Sequence, residues 1–204
     1  MSPDMLTHMS AAEEIPNPLE RAAPGLDDVA FSVTTADMLG IALARAVMTR
    51  AETPGEGVAG FSTALSLDGE RLHVELIYLS ILTTQFALGV ALGAGELTAR
   101  VTATFERALW SGAPWRASAS GLEARRREYK DAFNHPHPEL GRAYVIGRTF
   151  ARYCGCSHEI SMIEFGARAY MGQLAPMLGL LRSVTLVHPL TYQRQSGGDS
   201  IAIT

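Results

Sequence analysis

"DGERLHVELIYLSILTTQFALGVALGAG", residues 68–95, decides the fold, because it supports two incompatible readings. Asp68-Gly69 stands between the alternating runs "FSTALSL" and "ERLHVEL", the local signature of a two-residue β-hairpin. Leu72, Leu76, Leu79, Thr83, Phe86 and Val90 instead recur at helical spacing as far as the next glycine pair. That seam outlasts a strand, so the segment reads as a helix over about 70–92, preceded at most by a short strand.

From Leu76 to Gly95 no side chain is charged, a length that also fits a membrane span. Ser80, Thr83, Thr84 and Gln85 gather in its middle, however, and no Lys/Arg asymmetry orients it. The segment therefore reads as a central helix covered by its neighbours, and no membrane partner is expected. Gly89 and Gly93 form a G-x-x-x-G pair that lets another helix come close, which makes both candidate interaction residues.

Outward from this segment, capping grammar marks the other helices. "DVAFSV" alternates Val29, Phe31 and Val33 as a small edge strand would. Thr34 then reads as an N-cap with Asp37 three residues on, Val33 and Met38 as a staple, and a first helix spans about 35–50. "AETPGEGVAG" is a linker. After Gly93-Ala94-Gly95, Leu97, Val101, Phe105, Ala108 and Leu109 line one face of another helix. Ser120 and Glu123 make an S-x-x-E box ahead of "LEARRREYKDAF", with Leu122, Tyr129 and Phe133 facing inward. Glu123 with Arg127 and Arg127 with Asp131 are i,i+4 pairs, so Arg125, Arg126 and Arg127 read as a salt-bridged exposed face and as candidate interaction residues. Pro138 suits a first helical turn, and Leu140, Ala143, Tyr144, Gly147, Phe150, Ala151 and Cys154 then draw the cleanest amphipathic stripe in the chain. Phe165, Ala169, Tyr170 and Leu174 mark a last helix that Pro176 kinks or ends, and "SVTLVHPLTY" allows a strand.

Between the last two helices lies "RYCGCSHEIS", residues 152–161. Cys154 falls on the apolar stripe as a buried thiol, and Gly155 stands where a helix takes a left-handed residue. Ser161 and Glu164 make a further capping box, with Ile160 and Phe165 in staple positions. Cys156 and His158 remain as weak candidate metal ligands, but C-x-C is not a common zinc spacing, and His135 and His137 lie about 24 Å away along a helix. A Cys156 nucleophile with His158 as its base lacks a third, orienting group. "FARYCGCSHEISMIEFG", residues 150–166, resembles the helix-turn-helix of Cro/repressor-type DNA-binding domains in Ala151, Gly155, Ser157, Ile160, Ser161, Ile163, Glu164 and Gly166. The resemblance implies a DNA-binding regulator. It covers 17 residues, is one residue short between Ser157 and Ile160, and puts Glu159 and Glu164 on the surface that would approach phosphates.

At 204 residues, 47% apolar and 19% charged, the chain has the composition of one globular domain. Residues 1–115 carry 6 Lys+Arg against 14 Asp+Glu, net −8, whereas residues 116–182 carry 10 against 6, net +4. That polarity suits self-association or an acidic partner. Two cysteines one residue apart cannot staple a fold, and the N-terminus has no basic head followed by an apolar run, so a cytoplasmic protein is expected. No P-loop, G-x-G-x-x-G, G-x-S-x-G or H-E-x-x-H occurs. His73 and Glu75 read as the exposed face of a first turn, since i,i+2 residues diverge on a helix.

Together these readings give a mainly α domain, an antiparallel bundle of five or six helices over 29–188 with one short β-hairpin or edge strand, a mobile arm over 1–28 and a tail over 189–204. The expected function is protein–protein contact without catalysis or cofactor, of a regulatory or adaptor type, by a chain that pairs with itself. Two alternatives stand beside it: the DNA-binding regulator, and a metal or small-ligand site near Cys156 and His158.

Overall fold

The computed structural model describes residues 33–52, 68–111 and 118–187. The expected arm over 1–28, the linker, the first arm of the alternative hairpin and the tail over 189–204 lie outside these residues. Among them the chain is mainly helical: strand β1 (Val33–Thr35), helices α1 (Ala36–Glu52), α2 (Gly69–Leu92), α3 (Glu96–Ser111), α4 (Ala119–Asn134), α5 (Gly141–Tyr153) and α6 (Ile160–Ser183), then strand β2 (Thr185–Val187). β1 and β2 pair in parallel, Val33 against Thr185 and Thr35 against Val187, which brings the start of α1 and the end of α6 to one place.

Asp68-Gly69 starts α2 and turns no hairpin. The Asp68 side chain accepts from the Glu70 amide at 3.0 Å, and its carbonyl accepts from the Leu72 amide at 3.0 Å. An Asp at a helix N-cap satisfies amides that the helix itself cannot. Once started, α2 buries Leu72, Glu75, Ile77 to Thr84, Ala87 and Leu88. It packs chiefly on α6 and also meets α1, α3, α4 and α5. α2 is long and apolar enough to cross a membrane, and 61% of its most apolar window is buried within this fold.

Several boundaries move by one or more residues, each for a local reason. Thr35, not Thr34, caps α1, its Oγ1 accepting from the Met38 amide at 3.3 Å. Asp37 reaches instead across to α3. Ser118, not Ser120, caps α4, with its Oγ accepting from the Gly121 amide at 3.0 Å. The Tyr78 hydroxyl fixes that cap by accepting from the Ser118 amide at 2.9 Å. α5 begins at Gly141, not Pro138, because His137 Nδ1 accepts the Glu139 and Leu140 amides, both at 3.2 Å, and Gly141 leaves that turn with φ +74°. α6 begins at Ile160 without a side-chain cap, so the box expected at Ser161 does not form, and Ile160 is 71% exposed and staples nothing. Pro176 neither ends α6 nor stops its packing, since Met177 and Leu181 beyond it are buried.

α5 and α6 approach at a crossing that only glycine allows. A Cβ on Gly147 would collide with the Ile163 carbonyl and stand 2.9 Å from the Ala167 amide, while one on Gly166 would stand 2.7 Å from the Phe150 ring. Backbone cannot yield as a flexible side chain can. Gly147→Ala is therefore expected to lose about 1–3 kcal/mol in urea unfolding. Gly89→Ala, on an exposed turn with nothing within 4 Å, is expected to gain about 0.5–1 kcal/mol through helix propensity.

Candidate functional site

The sequence offers few groups able to do chemistry, and the fold gathers the largest set of them at the first turns of α2. Glu75 lies in an apolar helix, three residues from both Leu72 and Tyr78, and helical geometry turns all three toward the core. Its residue is 0% exposed. The expectation of an exposed first-turn face is thereby corrected for Glu75. His73 lies on the opposite side and is half-buried.

A carboxylate in that position needs partners, and both of its oxygens have one from α4. Arg125 Nε donates to Glu75 Oε2 at 2.6 Å, and the Tyr129 hydroxyl donates to Oε1 at 3.2 Å. Arg125 also donates from Nη1 to the Gly121 carbonyl at 3.1 Å. Its guanidinium is held between two rings, 4.3 Å from the Tyr78 centroid and 4.6 Å from that of Tyr153 at the end of α5. Such stacking suits a planar, weakly hydrated cation better than it would lysine. Arg71 completes the cluster from outside, donating from Nε to the Tyr153 carbonyl at 2.7 Å.

The electrostatics follow from burial. Burial pushes the Glu75 carboxyl above the ordinary range, against the opposing pull of Arg125, Tyr129 and Arg71. Burial likewise holds the Tyr129 hydroxyl well above the usual phenol range, with the Glu75 charge adding to it. Cys154 has its thiol pushed up by burial and then by the Glu75 charge, so it is an inert thiol at neutral pH. Within the cluster Glu75 and Arg125 are already engaged with each other, and the one thiol beside them, Cys154, is held protonated. Its chemistry is that of a joint between α2, α4 and α5.

The three neighbouring arginines therefore do not form one face paired along their own helix. Arg125 is turned inward. Arg126 pairs with Glu106 of α3 at 2.7 Å and with Glu123 at 3.2 Å. Arg127 is exposed and has no ion pair among the described residues, while Asp131 pairs with His135 at 2.8 Å. Arg152 on α5 reaches Glu128, so α4 is tied to three other helices by charged side chains.

At the α5–α6 turn, Gly155 adopts φ +83°, its amide donates to the Arg152 carbonyl at 3.0 Å, and the Cys156 amide donates to the Ala151 carbonyl at 2.8 Å. These two bonds are a Schellman motif, and they consume the turn's backbone. Cys154 is buried, as its place on the stripe requires; Cys156 is half-buried and His158 exposed. Among the described residues no group of three or more His, Cys, Asp or Glu is placed to hold a metal ion. Among the described residues, Gly89 and Gly93 approach no other helix. Gly89 is on an exposed turn, and Gly93 ends α2 with φ 72°.

No protein-family model matches this chain, and no curated protein or solved structure matches it either.

The sequence signal for the joint was slight: an acid at the edge of the uncharged run that starts at Leu76, and three consecutive arginines on a helix that also carries three acids. Arg125→Met is expected to destabilise by about 3–5 kcal/mol, because Glu75 is left buried without a counter-ion. Replacing both Glu75 and Arg125 by Met is expected to cost much less than that single change. Urea unfolding of the single and double variants checks this: equal losses would mean that the pair is not coupled. A maleimide is expected to label Cys156 in the native protein and Cys154 only after unfolding.

Proposed function

We propose that this chain is a non-enzymatic helical protein of a regulatory or adaptor type that acts through protein–protein contact, and that it self-associates as a homodimer. What supports the reading is the corner between α2 and α3. Val90 is 52% exposed and Leu97 49% exposed on the two sides of that turn, and between them no side chain but Glu96 is charged. Gly89, Gly93 and Gly95 have no atom within 4 Å of where a Cβ would stand, so a partner's backbone can come close there. A glycine-rimmed apolar corner with a single charge has little to gain from water and is the kind of surface that contacts use.

The other exposed large hydrophobics fit the reading less well. Met38 and Ile41 share their helix face with Asp37, which is ion-paired to Arg100 at 2.5 Å, and with the exposed Arg45. Leu140, Ile160 and Met171 stand singly on other elements.

Sedimentation across a concentration series tests the proposal. The wild type is expected to dimerise, and Val90→Asp with Leu97→Asp is expected to weaken the dimer by about a hundredfold, as for two desolvated contacts of about 1.4 kcal/mol each. A wild type that stays monomeric at every concentration overturns the proposal. A dimer that survives both changes moves it to another surface.

A further inference from the structure

α6 is covered along one side. Its buried residues, from Met162 and Ile163 to Met177 and Leu181, turn toward α2 and α5. On the outward side Glu164, Arg168, Met171, Ala175 and Arg182 are exposed, and Leu178 is half-buried. These six positions follow one another at steps of 4, 3, 4, 3 and 4 residues, the spacing of a seam that meets another helix. Met171, 49% exposed, stands near its middle. Gly172 and Gly179 border the seam, and a Cβ on either would meet no atom within 4 Å, so another backbone can come close there. Among the described residues, Glu164, Arg168 and Arg182 have no ion-pair partner.

The order of the charges selects what fits this face. Glu164 stands near one end and Arg182 at the other, eighteen residues apart. At 3.6 residues per turn that is about five whole turns, so both project from the same side of the helix. A second copy laid parallel would set glutamate against glutamate and arginine against arginine. Laid antiparallel about a twofold axis at Gln173, it sets Glu164 of each copy against Arg182 of the other. The same axis brings Met171 over Ala175, a long side chain over a short one, and the stem of Arg168 over Leu178. The face is thus complementary to itself in charge and in size, in one orientation only.

We infer that α6 carries a second self-contact surface, on which another copy of this chain lies antiparallel with Glu164 and Arg182 paired reciprocally. It lies on a different helix from the α2–α3 corner and does not depend on it. Its bridges are exposed and its apolar area is small, so the contact is weak. Where both contacts form, two different twofold axes on one chain carry assembly past the dimer.

Sedimentation of the full chain carrying Val90→Asp and Leu97→Asp reads this contact apart from the corner. Association at high protein concentration is expected to remain in that background. Adding Glu164→Arg or Arg182→Glu is expected to weaken it about tenfold, because each change turns two attractive pairs into two repulsive ones. Adding both together is expected to restore it to within about twofold, since the reciprocal pairs form again with their signs exchanged. No association in that background, single changes without effect, or a double change no better than the singles would each overturn the inference. Should the background changes disturb the fold, the same series on the wild-type chain decides, and there too the double change must outdo the singles. The corner is judged by a different comparison, the background variant against the wild type, so either contact can fail without the other.

Discussion

From Leu72 to Leu88, α2 keeps most of its side chains out of water, and a helix presents side chains in every direction. One neighbour can cover only about a third of such a cylinder, so several must stand around it. α6 takes the longest contact, and α1, α3, α4 and α5 share the remainder. The close crossing at Gly147 and Gly166 follows from the same demand, because α5 can reach the core only by pressing against α6. At the far end the coverage runs out. Gly89 and Val90 emerge into solvent with no charged residue to meet it.

Placing a carboxylate within this helix is expensive, and the surrounding sequence is arranged to meet the cost. Glu75 takes its counter-ion from α4, and α4 takes its position from that counter-ion. The stacking of Arg125 between Tyr78 and Tyr153 then fixes α5 to the same point. A pair of apolar residues in the place of Glu75 and Arg125 would be no less stable on general grounds. What the charged pair adds is register. A buried acid tolerates its one partner at one position, whereas leucines slide against one another.

Helix existence was readable because long periodic runs carry their own evidence: α2, α3 and α5 follow seams visible in the order of residues alone. Start points were less readable, because Thr34, Thr35, Ser118, Ser120 and Ser161 are all competent caps and tertiary contacts choose among them. Tyr78, forty residues from Ser118, makes the choice for α4. The joint at Glu75 was missed for the same reason. Within its own helix Glu75 looks like a polar residue of a first turn. Only the docking of a segment fifty residues away shows it as buried. Arg125 was equally hidden, since Glu123, Arg127 and Asp131 offered local pairings that the fold does not use.

β1 and β2 are short, but their arrangement has a mechanical meaning. Val33 opens β1 and Val187 closes β2, and in a parallel pair these two residues lie at opposite ends of the ladder. Tension applied between the two chain ends therefore draws the strands past each other lengthwise. All the cross-strand bonds are strained together and none is peeled before the next. A three-residue clamp loaded in this way resists traction better than its size suggests, and it shields α1 and α6 behind it from being unravelled first.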